Sequence, residues 1–138
     1  MDRVLIVEDE STSRQFLQSI VTSGGYACHA SEDADSALAW AQKQCFTVLL
    51  TDLVMPGMDG LELFVRLRRQ HPLLRGIVCS AYLDYGRMTS LIEAGFDDCL
   101  LKPVRREPLV HSINRSYAIR FHWQDRLAQL RGLGLEHE

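Results

Sequence analysis

An α/β fold, a five-stranded parallel sheet doubly wound between two layers of helices, is predicted by three observations. Five short apolar runs recur along the 138 residues, segments of helical period separate them, and several runs are apolar at every position. A strand with no polar face belongs in a sheet covered on both sides. Strict alternation of strand and helix at this spacing implies right-handed crossovers and a three-layer sandwich.

The strands are expected at Val4-Leu5-Ile6-Val7, Tyr26-Ala27-Cys28-His29, Val48-Leu49-Leu50, Ile77-Val78-Cys79 and Cys99-Leu100-Leu101. The first helix carries Phe16, Leu17, Ile20 and Val21 and ends at Gly24-Gly25. Ala34, Ala37, Leu38 and Ala41 mark a small-sided second helix, and Leu61, Phe64, Val65 and Leu67 the third. Asp59 followed by Glu62 has the spacing of a capping box, and His71-Pro72 closes that helix. Asp84 caps a fourth helix bearing Met88, Leu91 and Ile92, stopped by Gly95. The fifth begins near Pro108, which the first turn of a helix tolerates.

This is one domain's length, enough for a core without staples. A net charge of −3 argues against direct nucleic-acid binding, which needs a dense Lys/Arg surface. Cys28, Cys45, Cys79 and Cys99 show no C-x-x-C spacing and read as small core residues in a reducing compartment. No signal peptide opens the chain and no apolar run approaches about 18 residues, so a cytoplasmic location without membrane contact is expected.

In open sheets of this kind chemistry gathers beyond the carboxyl ends of the strands. Here those ends carry Glu8-Asp9, Asp52, Ser80 and Lys102-Pro103. Two carboxylates about 4 Å apart repel by roughly 4 kcal/mol at an effective dielectric near 20. A third makes the site untenable unless a group is protonated or a cation sits there. A partly hydrated, all-oxygen site suits Mg2+.

The blocks V-L-I-V-E-D-E, T-D-L-V-M-P-G-M-D-G-L-E-L, S-A and L-K-P, in order from Val4 to about Tyr117, resemble the signature of the response-regulator receiver family. The resemblance implies a flavodoxin-like sheet in the order 2-1-3-4-5 flanked by five helices. By position it implies that Asp52 is the phosphoacceptor, served by a histidine kinase or histidine phosphotransfer protein. Asp9, Asp52 and the backbone carbonyl of Val54 would ligate Mg2+ directly, with Glu8 acting through water. Lys102 would pair with the phosphoryl oxygens, Ser80 would hydrogen-bond one of them, and Lys102-Pro103 would be cis.

Two departures stand out. Glu8 occupies a position that is more often Asp, and its longer arm still reaches a metal-bound water. Cys99 stands where many members carry Tyr or Phe that swings inward as the Ser/Thr moves toward phosphate. A small buried thiol excludes that swing, so the switch through Ser80 and Cys99 is expected to be muted or differently wired. Tyr82 and Val54, two residues beyond Ser80 and Asp52, suggest slow intrinsic loss of the phosphoryl group.

The receiver is expected to span residues 1–118, and residues 119–138 to form a helical extension or the start of a linker. Leu109, Val110, Ile113 and Tyr117 share one helix face, whereas Ile119, Trp123, Leu127 and Leu130 repeat on a face rotated by roughly 100°. That second stripe either folds back as a cap or meets a partner, as a homodimer or toward an output domain. Competing functional readings are a phosphorylation-independent docking module and a haloacid-dehalogenase-type phosphatase. The intact Asp9, Asp52, Ser80 and Lys102 disfavour the first, and Val54 in place of a second Asp disfavours the second. A flavodoxin-like cofactor protein is disfavoured because no phosphate-cradling loop follows the first strand.

Overall fold

The structure, a computed structural model, describes residues 2–135. Five strands and five helices alternate without exception: β1 Arg3–Val7, α1 Ser11–Ser23, β2 Ala27–Ser31, α2 Ala34–Lys43, β3 Val48–Thr51, α3 Gly60–Gln70, β4 Arg75–Ser80, α4 Tyr85–Ala94, β5 Asp98–Leu101 and α5 Arg106–Gly132. All ladders are parallel, and the strand order is β2-β1-β3-β4-β5. The three-layer, doubly wound expectation and the 2-1-3-4-5 order both hold.

Successive side chains of a strand point to opposite faces, and that period divides the core in two. Val4, Ile6, Val48, Leu50, Ile77 and Cys79 face α1 and α5, meeting Leu17, Ile20, Val21, Leu109 and Ile113. Leu5, Val7 and Leu49 face the other way, against Ala34, Ala37 and Ala41 of α2 and Leu63, Phe64 and Leu67 of α3. Each fully buried aliphatic or aromatic side chain contributes roughly 1.5–3 kcal/mol. The alanines let α2 lie close to the sheet.

Helix ends follow local chemistry. The Asp59 carboxylate accepts from the Glu62 N–H at 2.8 Å, while Glu62 itself turns to Arg66, so only one arm of the expected capping box forms. Asp84 accepts from Arg87 N–H, and Gly95 ends α4 at φ +98°, a conformation that favours glycine. Glu10 and Asp33, not anticipated from sequence, cap α1 and α2. Arg105 offers α5 no side-chain cap.

Four apolar expectations need correction. Phe16 is half exposed and Ile92 lies on the outer face of α4. In α3 Phe64 and Leu67 are buried as expected, but Leu63 joins them and Val65 turns outward. Of the four cysteines only Cys79 is fully buried; Cys45 is exposed in the loop before β3.

The extension does not fold back among the described residues. α5 runs unbroken for 27 residues, roughly 40 Å. Arg120 still reaches the Phe46 carbonyl, but every residue from 121 to 135 is exposed, including Trp123, Leu127 and Leu130. No helix among the described residues is long and apolar enough to cross a membrane.

Candidate functional site

The carboxyl ends of β1, β3 and β5 deliver the acidic residues and the lysine to one place. Carboxylate oxygens of Glu8, Asp9 and Asp52 all lie within 4.8 Å of one another. Glu8 is buried, Asp52 half-buried and Asp9 exposed. Lys102 Nζ sits 2.5 Å from Glu8 Oε1 and 2.9 Å from Asp52 Oδ2. The peptide bond between Lys102 and Pro103 is cis, as the resemblance implied.

The loop after β1 is held by backbone contacts. Arg14, in the first turn of α1, donates to the carbonyls of Glu8 at 3.0 Å and Asp9 at 3.4 Å. The Glu10 N–H donates to Glu8 Oε2 at 3.1 Å. Sequence reasoning passed over Arg14, whose only signal is a cation six residues after Glu8. Asp52 is steadied from α3: the Gly60 N–H donates to the Leu53 carbonyl at 2.9 Å. A Cβ on Gly60 would collide with the Asp52 carbonyl, so a glycine is required for α3 to start this close to β3. The Val54 N–H approaches Asp52 Oδ1 at 3.4 Å.

Electrostatics follow from burial and charge. Burial pushes the Glu8 carboxyl above its usual range, partly opposed by Lys102 and by the Glu10 N–H. For Lys102, burial acts to lower the ammonium's value, but hydrogen bonds and charges from Glu8 and Asp52 outweigh it and hold the value above normal. Lys102 is therefore a cation at neutral pH. Three oxygen donors of this kind, facing one ammonium, fit a hard divalent cation such as Mg2+.

Not every expected residue joins the cluster. Ser80, at the end of β4, exchanges hydrogen bonds with the backbone of Tyr82, donating to its carbonyl at 3.1 Å and accepting from its N–H at 3.2 Å. Tyr82 and Val54 are exposed. Cys99 is half-buried, not buried as expected, and its thiol rests on the Met88 sulfur of α4.

Comparison with known proteins matches this site and fold to one family. Residues 4–114 fit the model for the response regulator receiver domain. The chain is 32% identical over 122 residues to the DNA-binding transcriptional regulator NtrC of Salmonella typhimurium, covering 88% of this chain and 25% of that protein. It therefore spans about a quarter of the length of that relative. Among solved structures it resembles chemotaxis protein CheY4 of Vibrio cholerae (TM-score 0.78, 28% identity, covering 84% of this chain and 98% of that one). NtrX of Brucella abortus superposes with TM-score 0.83 at 26% identity, over 89% of this chain and 28% of that one. With its sheet order, its convergent carboxylates and its lysine after β5 all in place, the chain belongs to the response regulator receiver family, the receiver modules of two-component signalling.

Proposed function

We propose that this receiver accepts a phosphoryl group on Asp52 from the phosphohistidine of a cytoplasmic sensor kinase or phosphotransfer protein, in a Mg2+-dependent reaction. The observation that carries the reading is Lys102 Nζ at 2.9 Å from Asp52, facing three converging carboxylates. Asp9, Asp52 and the Val54 carbonyl would hold the cation, which when bound neutralises charge on the phosphoryl oxygens. A carboxylate is a weak nucleophile, but phosphoryl transfer has a loose transition state that asks mainly for alignment and neutralised charge. An Asp52 oxygen attacks phosphorus in line, the P–N bond to the donor histidine breaks, and the imidazole departs with the electron pair. Lys102 supplies positive charge from the side of β5. Ser80 must leave the Tyr82 backbone to donate to the new phosphoryl group, which couples the chemistry to the loop before α4. Cys99, resting on Met88, offers that movement a different partner from an aromatic ring.

The deciding experiment is intact-mass or Phos-tag analysis after incubation with acetyl phosphate or phosphoramidate and Mg2+. Wild type gains one phosphoryl group and Asp52→Asn gains none; equal labelling of both refutes the assignment.

The partner surface we assign to the extension is the stripe Ile119, Trp123, Leu127 and Leu130, occupied by a second copy of the chain. Trp123, Leu127 and Leu130 leave close to half their surface in water. Burying what remains in a paired helix gains each about half of the roughly 1.5–3 kcal/mol that full burial contributes.

A further inference from the structure

We infer that Arg14 is a positioning residue for the divalent cation: it fixes the main chain of the loop after β1, and through that chain the carboxylate of Asp9. The inference rests on the proposed reading of the site and deepens it. The free N–H groups at the start of a helix already carry positive charge, so a cation in the first turn is unfavourable unless it finds acceptors. Arg14 lies in that turn of α1. It reaches back to the loop, where a single nitrogen, Nη1, donates to two consecutive carbonyls, Glu8 at 3.0 Å and Asp9 at 3.4 Å.

The tie joins a fixed element to an exposed residue. α1 is anchored in the core by Leu17, Ile20 and Val21, all buried. The loop begins with the Glu8 N–H donating to the Ser31 carbonyl at 3.0 Å. It ends with the Glu10 carboxylate accepting from the Thr12 N–H at 3.2 Å and the Ser13 N–H at 2.6 Å. Asp9 stands between those ends and is exposed. Its place follows from its main chain, and Arg14 holds the carbonyl of that residue. A donor ordered before the cation arrives spares the cost of ordering it on binding. Charge alone predicts the opposite sign. A guanidinium beside an acidic loop repels an incoming cation, so its removal would tighten binding. Direction therefore separates the two effects.

Mg2+ binding is measured by calorimetry in wild type, Arg14→Gln and Arg14→Lys. Binding is expected to weaken about tenfold in Arg14→Gln, the worth of one charge-assisted hydrogen bond, with Arg14→Lys between the two. Equal or tighter binding in Arg14→Gln overturns the inference, as does weaker binding in Arg14→Lys than in Arg14→Gln. Self-phosphorylation by acetyl phosphate distinguishes positioning from contact with the phosphoryl group. In Arg14→Gln the Mg2+ concentration giving half the maximal rate should carry the loss, rising about tenfold. A loss in the rate at saturating Mg2+ instead overturns the inference. A third arm needs no variant to fold. The wild-type Nη signals of Arg14, which rotation of the guanidinium broadens unless hydrogen bonds hold it, should be resolved and stay so at saturating Mg2+. Broadening would show the tie released and overturn the inference. Absence of Mg2+ binding by wild type refutes the reading of the site itself, separately from Arg14.

Discussion

Removing Asp97 is the most informative perturbation of the fold outside the site. Its carboxylate takes two hydrogen bonds from Arg75, Nε to Oδ2 at 2.9 Å and Nη2 to Oδ1 at 2.5 Å, plus one from Ser116 Oγ at 2.8 Å. Both charged side chains are almost fully buried, 10% and 5% exposed. Arg68 adds a second guanidinium, whose value burial and then the Arg75 charge push down while Asp97 pushes it up. Asp97→Ala therefore strands a buried cation beside another cation and leaves Ser116 unpaired. Breaking one side of a buried pair costs about 3–5 kcal/mol. For a domain of this size that lowers Tm by roughly 10–20 °C. Thermal unfolding followed by circular dichroism measures it. The double variant Arg75→Met/Asp97→Ala removes both charges and should recover a large part of the loss. A single-variant penalty below about 1 kcal/mol would refute the reasoning, because the pair would then be solvated. Asp97 precedes β5, at the amino ends of the strands and away from Asp52 at their carboxyl ends, so acetyl phosphate should still label the folded variant.

Three further outcomes are expected. In Mg2+ titrations followed by calorimetry, Asp9→Ala nearly abolishes binding and Glu8→Ala only weakens it; the reverse order would mean the pair is assigned the wrong way round. Light scattering at high micromolar concentration should detect self-association of the full chain and not of a truncation at Ile119; monomers in both samples would count against the stripe as a self-interface. With a thiol reagent under native conditions, exposed Cys45 should react first. Cys79, its thiol pushed up to about 12 by burial, should react only on unfolding.

What sequence conveys here divides along a physical line. The strands were legible because burial on both faces leaves uninterrupted apolar runs, and the caps Asp59 and Asp84 because an acid three residues before a helical amide is a local signal. The acidic residues and Lys102 were legible because each ends a strand. Leu63 was passed over, although the cap and Phe64 and Leu67 were read correctly, because Leu61, Leu63 and Val65 are alike in sequence and only packing separates them. The Arg75–Asp97–Ser116 network, the tie from Arg14 to the β1–α1 loop, and Glu8 against Lys102 were not legible. They join residues 19 to 94 positions apart, or side chain to backbone, and leave no periodic trace.

The unbroken course of α5 also has a mechanical side. The part of it from Phe121 to Gly132, about 12 residues, projects past its last anchoring contact, from Arg120 to the Phe46 carbonyl in the loop before β3. At 1.5 Å per residue that is an arm of roughly 18 Å. A tilt of about 10° where the helix rests on the sheet would carry its tip roughly 3 Å. Movements too small to repack the sandwich thus become, at the far end of one stiff rod, large enough to make or break a contact.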